Sequence, residues 1–167
     1  LLEGPALAPG GSALVQLELD REIAAWHGDR FILRDQSATR TLGGGVVLDP
    51  FASATLRRKP QRRAALAALE QAAPEDALRS LLALEPPAGV DVDSFFLAWN
   101  LQPARREAVL KAVAHRVLVD GGVSRLFAPG QLERAAASLP EALAAHHQQR
   151  PDSPGLPPAA LQKQPAV

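Results

Sequence analysis

The stretch TLGGGVVLD, residues 41–49, places three consecutive glycines before a run of β-branched and apolar residues. It follows DRFILRD, residues 29–35, across a turn that we expect at residues 36–38. Upstream, ALVQLELD at residues 13–20 alternates apolar and polar side chains, and this period of two is typical of a half-buried strand. The sequence therefore predicts three short strands within residues 1–50. Because three strands are too few to close a barrel, we expect them to be the C-terminal part of a larger sheet.

After Pro50 the sequence takes on a helical pattern. Residues 61–73 are rich in alanine, which has the highest helix propensity. A second helix is expected from Pro74, because proline is favoured in the first helical turn, and Pro86 and Pro87 are expected to end it. The predicted buried stripe of this second helix consists of Leu78, Leu81, Leu82 and Leu84.

Residues 89–128 have the element order of a winged helix. A very short strand at residues 89–91 precedes a helix that Asp93 is expected to cap, and Pro103 is expected to start the next helix. The two β runs of residues 115–127 flank a Gly-Gly pair, which is a strong hairpin signal because both turn positions can take positive φ. The side chains predicted to face the core of this unit are Phe95, Phe96, Trp99, Ala108, Val109, Leu110 and Val113.

Residues 129–149 are predicted to be helical again, with an interruption at Pro140. Ser138 and Glu141 have the spacing of a capping box, so this helix is either kinked or restarted at residue 139.

The composition excludes several classes of protein. The 167 residues carry 18 basic and 18 acidic side chains, so the chain lacks the broad positive field of a dedicated nucleic-acid binder. It has no cysteine, which removes disulfides and thiolate metal sites, and no apolar run long enough for a membrane span is present. A phosphate-binding loop motif is absent, so we expect no GTP hydrolysis by this chain and assign no catalytic residue and no cofactor. His146 and His147 point to different sides of a helix, so we assign no metal site.

The first 47 residues contain four motifs in a fixed order. They are an Ala-Pro-Gly-Gly turn at residues 8–11, strand residues 15–17, GDRFILR at 28–34 and RTLGGGVV at 40–47. This series resembles the end of the third domain of translation elongation factors of the Tu type, where such strands close a six-stranded β-barrel. Near the closure of a small barrel, strands coil sharply, and glycines there are expected to allow the bend and a close backbone approach.

The second half of the sequence indicates which kind of Tu-type factor the chain resembles. RRKPQRRAALAAL at residues 57–69, DSFFLAWNL at 93–101 and VLVDGGVSRLFAP at 117–129 follow in order, so nearly the whole chain resembles the bacterial selenocysteine-specific elongation factors, the SelB family. The resemblance implies a cytoplasmic, GTP-dependent factor that delivers selenocysteyl-tRNA to UGA codons on the ribosome, guided by an mRNA hairpin. GTP and Mg would bind in domains outside this sequence. We expect the chain to be an internal or C-terminal piece of the factor, because it lacks both the phosphate loop and any methionine.

The predicted fold class is α+β, with the C-terminal strands of a Tu-like domain III β-barrel followed by a winged-helix domain with flanking helices. The predicted units are a partial barrel at residues 1–50, a basic linker and helix at 51–73, a winged-helix domain with its connecting helix at 74–149, and a linker with the start of a next winged helix at 150–167.

The resemblance also implies where tRNA would be bound, since the family's barrel grips the acceptor and T-stem side of the tRNA. The candidates for phosphate or sugar contact are Arg21, Arg34, Gln36 and Ser37, although the arginines are equally interpretable as ordinary exposed strand residues. The family's Glu-Gly-Gly turn reads Asp-Gln-Ser-Ala here, which is one residue longer. A basic cluster that could face tRNA or ribosomal RNA, or be a solvated linker, consists of Arg57, Arg58, Lys59, Arg62 and Arg63.

A DNA-binding transcriptional regulator is the alternative function. In that class the third helix of the winged unit enters the major groove and needs a clear basic face. Here the helix carries Arg105, Arg106 and Lys111 together with Glu107, which is a poor basic face. The predicted role of the winged unit is therefore that of a spacer between the barrel and later RNA-binding modules.

Overall fold

The computed structural model describes residues 2, 6–52, 60–84, 89–153 and 155. These residues form a two-stranded sheet near the start of the chain and a unit of helices with a second, three-stranded sheet. The structure is therefore mixed α and β, as the sequence predicts.

The first sheet is the hairpin of β1 (Arg30–Arg34) and β2 (Thr41–Val46), which pair antiparallel. Both strands lie within the segments in which the sequence predicts them. The glycines of β2 allow a close approach to β1. A Cβ added at Gly44 would lie 2.6 Å from the carbonyl oxygen of Phe31, and one at Gly45 would lie 2.6 Å from the ring of Phe31. A side chain at either position would therefore collide with β1, whereas a Cβ at Gly43 would meet no atom within 4 Å.

The strand predicted at residues 13–20 is wrong. These residues belong to no strand, because β1 and β2 pair with each other and neither pairs with this segment. Leu17 and Leu19 are 44% and 53% exposed, so the alternating pattern does not correspond to a buried face. The pattern shows which side chains can be buried together, but a strand also needs a partner for its backbone groups, and the pattern cannot show that partner.

Two helices follow, α1 (Pro60–Leu69) and α2 (Pro74–Leu82), and they pack against each other. Pro74 lies in the first turn of α2, together with two acidic residues that favour the positive end of the helix dipole. Within the predicted stripe, Leu78 and Leu82 are buried, while Leu81 and Leu84 are partly exposed. The predicted break at Pro86 and Pro87 lies outside the described residues.

The predicted short strand is present as β3 (Val90–Asp91) and leads directly into α3 (Val92–Ala98). The cap predicted at Asp93 is wrong, because the helix begins two residues earlier and Asp91 caps it. The Asp91 carboxylate accepts hydrogen bonds from the backbone N–H and the hydroxyl of Ser94, at 3.1 and 3.0 Å. The backbone hydrogen bond from Ser94 is the main cause that holds the pKa of Asp91 below its usual range.

The remaining elements are α4 (Pro103–Ala112), β4 (Arg116–Asp120), β5 (Val123–Phe127) and α5 (Gln131–Gln149). β5 lies between β3 and β4 and pairs antiparallel with both. The Gly-Gly pair forms the predicted turn, with φ of 57° at Gly121 and 82° at Gly122. The hairpin prediction is confirmed.

The core lies between α2, α3, α4 and β5. Its most buried members are the side chains of Ala77, Leu78, Val109, Val113 and Leu126. Phe95 and Phe96 are buried as predicted, and Trp99 and Leu110 pack against this core while partly exposed. The core position predicted for Ala108 is wrong: Ala108 is exposed, because Val109 and Val113 define the inner face and the preceding residue is rotated away from it.

The last helix, α5, runs through Pro140 without a restart. The predicted capping box is wrong, because the Ser138 hydroxyl donates to the carbonyl of Ala135, at 2.9 Å, within the same helix. The buried Gln131 fixes the start of α5 to the rest of the unit. Its amide nitrogen donates to the carbonyl of Leu82 and its amide oxygen accepts from the N–H of Ala128, both at 2.8 Å. No helix within the described ranges is long and apolar enough to cross a membrane.

Candidate nucleic-acid interface

The β1–β2 hairpin presents a row of exposed arginines. Side chains alternate along a strand, so Arg30 and Arg34 project from the same face of β1, with Ile32 between them. Arg40 lies directly before β2, and all three arginines are exposed. No acidic side chain among the described residues forms an ion pair with any of them. Their guanidinium groups are therefore available to an anionic ligand.

The turn between the strands is held by Asp35. One carboxylate oxygen accepts from the backbone N–H groups of Thr39 and Arg40, at 2.7 and 3.1 Å, and the other accepts from the Thr39 hydroxyl at 2.9 Å. The hydrogen bond from Arg40 is the main cause that lowers the pKa of Asp35. Gln36 and Ser37 are exposed at the tip of this ordered turn.

The structure does not bring Arg21 into this arrangement. Arg21 lies exposed at a bend. It is therefore not part of a strand and does not pair with β1. No hydrogen bond or ion pair in the described part of the chain joins it to the hairpin. Of the predicted contact residues, the hairpin therefore unites Arg34, Gln36 and Ser37.

Arg30 and Arg40 are not among the contact residues that the sequence predicts. A signal for Arg30 was present, because RFILR places two arginines on the same side of a predicted strand. Arg40 had no such signal, since its position depends on how the turn folds.

The predicted basic cluster is only partly visible. Arg57, Arg58 and Lys59 lie outside the described residues. Arg62 forms a salt bridge of 2.7 Å with Asp49, and both side chains are largely buried, at 16% and 18% exposure. Arg63 lies exposed on α1. Arg62 therefore has a structural partner that the sequence did not reveal.

The basic residues of α4 also have partners within the chain. Arg105 forms a salt bridge of 2.7 Å with Glu75 of α2. Arg106 donates to the carbonyl of Leu101 at 2.7 Å, and its guanidinium lies 5.5 Å from the centre of the Phe96 ring. These contacts stabilise the packing of α4 and leave its surface with little free positive charge.

The histidines do not suggest a metal site. The rings of His146 and His147 are tilted, with centres 6.0 Å apart, and Nε2 of His146 lies 3.0 Å from the hydroxyl of Ser153. The described residues contain no group of three His, Cys, Asp or Glu side chains that could hold a metal ion.

The segment that contains this hairpin is similar to a known protein domain. Residues 1–54 match the family model of the β-barrel domain of selenocysteine-specific elongation factors. The SelB resemblance of the sequence is thereby confirmed, and the arginine-bearing hairpin lies inside the SelB barrel segment.

A relative covers nearly the whole chain. The chain is 26% identical over 163 residues, 96% of its length, to a selenocysteine-specific elongation factor of Desulfomicrobium baculatum. It spans about a quarter, 26%, of that relative's length. The similarity to this relative thus extends through the helical unit. No solved structure matches the chain.

Proposed function

We propose that the chain is part of a GTP-dependent elongation factor that delivers selenocysteyl-tRNA to UGA codons at the ribosome, and that its β1–β2 hairpin contributes to tRNA binding. The SelB match of residues 1–54 supports the class of protein. The observation that carries the role of the hairpin is the set of exposed arginines without an acidic partner within the described residues, namely Arg30, Arg34 and Arg40. Contacts of this kind bind phosphates and position an RNA without reading its sequence.

The helical unit is proposed to be a winged helix that acts as a spacer. The order α2, β3, α3, α4 and then the β4–β5 hairpin supports this assignment. The proposed boundaries are residues 1–50 for the partial barrel, 51–73 for the linker and helix, and 74–149 for the winged unit, with residues 150–167 leading to a next module. GTP and Mg, the ribosome and the mRNA hairpin would be bound by other parts of the cytoplasmic factor, so this chain itself would not be an enzyme.

The alternative, a DNA-binding regulator, is not favoured. A recognition helix needs free basic side chains on its outer face, and the two arginines of α4 are held by Glu75, Leu101 and Phe96. Lys111 faces Glu107 at 3.8 Å on the same helix.

The first test measures RNA binding by charge reversal. Arg34→Glu should weaken the affinity of the chain for a minihelix of the acceptor and T stems of selenocysteine tRNA, because it replaces a phosphate-facing cation with an anion. The loss should be larger at low salt than at high salt, and the slope of log affinity against log salt should fall by about one. Filter binding across a salt series measures both quantities.

Arg79→Glu is the matched control. Arg79 is also exposed and contacts Asp76, but it lies on α2, away from the hairpin. It should leave minihelix affinity close to that of the unmodified chain. Equal losses for the two variants, or no loss for Arg34→Glu at either salt, would remove the hairpin from the proposed interface.

A further inference from the structure

The β segment and the helical unit meet at the ring of His27. This imidazole is stacked on the indole of Trp99, with ring centres 3.7 Å apart and an angle of 20° between the planes. Trp99 lies at the C-terminal end of α3, whereas His27 lies in the loop before β1. The stack therefore joins two parts of the chain that are separate in sequence and in hydrogen-bonded sheet structure.

Two hydrogen bonds to backbone carbonyls fix His27 in the stack. The N–H of His27 donates to the carbonyl of Ala98 at 2.6 Å, at the end of α3 where helix carbonyls lack partners within the helix. Nδ1 of His27 lies 2.9 Å from the carbonyl of Leu48, and since a carbonyl can only accept, Nδ1 is the donor. The imidazole is thus held against Trp99 by one bond to the end of α3 and one bond to the segment after β2.

The loop that carries His27 is itself tied to the hairpin. The N–H of Gly28 donates to the carbonyl of Val47, and the N–H of Val47 donates to the carbonyl of Asp29, both at 2.8 Å. A displacement of His27 would therefore displace the start of β1 and the end of β2 with it. The Asp49–Arg62 salt bridge adds a second connection, from the residue after Leu48 to α1.

The joint is small. β1 and β2 pair only with each other among the described strands, and the core of the helical unit draws one partly buried residue, Leu48, from the β segment. Units joined by small interfaces move relative to one another unless specific contacts prevent it. Besides Leu48, Leu14 of the β segment lies beside Ala64 and Ala67 of α1. Among the described contacts between the two units, the stack is the one in which two aromatic rings lie face to face, so we expect the orientation of the units to depend on it.

We infer that His27 and Trp99 are positioning residues that hold the arginine-bearing hairpin at a fixed angle to the helical unit. In the intact factor this joint would set the direction in which the spacer projects from the bound tRNA. That consequence rests on the proposed function, whereas the joint itself does not.

Distances between spin labels test the joint. The chain contains no cysteine, so Leu42→Cys on β2 and Lys111→Cys on α4 provide one label on each unit. Pulsed dipolar spectroscopy of the whole chain should give one narrow distance distribution. His27→Ala should broaden it, because the stack and the bond to Leu48 are lost together. Far-UV circular dichroism should remain unchanged, since the variant alters the angle between the units and leaves each unit folded.

His115→Ala is the matched control. His115 has a comparable contact from Nδ1 to a backbone carbonyl, that of Val113 at 2.8 Å, but this contact is internal to the helical unit. The control should keep the narrow distribution, as should Trp99→Phe, which retains an aromatic ring at the joint. If His27→Ala does not fold, His27→Asn takes its place under the same criterion, because Asn keeps a donor near Leu48 without the ring.

The inference is overturned if the distribution is already broad in the parent chain, or if it stays narrow when the imidazole is removed. Minihelix affinity separates this result from a failure of the proposed function. The isolated chain should bind the minihelix equally well with and without the His27 ring, because the arginines of the hairpin are unchanged.

Discussion

At the scale of single residues, two side chains have opposite effects on the turn of the β1–β2 hairpin. Asp35 stabilises the turn, whereas Ala38 has an unfavourable backbone conformation. Asp35 accepts three hydrogen bonds across the turn. Ala38, however, has a φ of 54°, in the left-handed region that is unfavourable for residues with a Cβ. The turn was predictable from its polar composition, but its extra residue relative to the family pattern left the backbone conformation open.

Ala38→Gly should stabilise the hairpin by about 0.5–1 kcal/mol. Glycine takes positive φ without steric cost, and this gain exceeds the larger chain entropy that glycine loses on folding. Hydrogen exchange of the β1 and β2 amides should slow accordingly. The same substitution at Ala104, in the first turns of α4, is the control and should speed exchange in that helix. Faster exchange in the hairpin of Ala38→Gly would show that the turn carries no such strain.

At the scale of elements, the sequence was most informative where a local signal is sufficient. Alanine-rich and proline-initiated helices, and the hairpin turn at Gly121 and Gly122, depend on neighbouring residues alone. The predicted strand at residues 13–20 failed because pairing is not local. The sequence predicted Asp93 as the cap of α3, but the cap is Asp91. Aspartate is favourable as a cap at either position, and the packing of the strand β3 decides where α3 begins.

Asp91→Ala should reduce the free energy of unfolding of the helical unit by about 1 kcal/mol at neutral pH, because the cap of α3 is lost. The folded-state pKa of Asp91 is lowered, so its contribution is complete above the unfolded-state value and is lost as the pH falls through the folded-state value. Denaturant unfolding of the variant and the parent chain at several pH values measures the difference. A difference that persists undiminished at acidic pH would contradict the assignment of the cap to the carboxylate.

At the scale of the whole molecule, the net charge of zero conceals an uneven use of arginine. In the helical unit, Arg105 and Arg106 form contacts within the chain. The hairpin arginines, by contrast, lack acidic partners in the described part of the chain; they are Arg30, Arg34 and Arg40. The sequence identified the family through its barrel motifs. It could not show which arginines are paired, because each pairing joins residues far apart in the chain. The His27–Trp99 joint escaped prediction for the same reason.

The most direct measurement is an NMR titration of the labelled chain with the acceptor and T-stem minihelix, with duplex DNA of equal length as the competitor. We predict that amide shifts concentrate in residues 30–41 and that α4 and the β4–β5 hairpin remain unchanged. The minihelix should also bind more tightly than the duplex DNA. Shifts centred on α4 and β4–β5, with tighter binding of duplex DNA, would contradict the assignment of this chain to a tRNA-carrying factor.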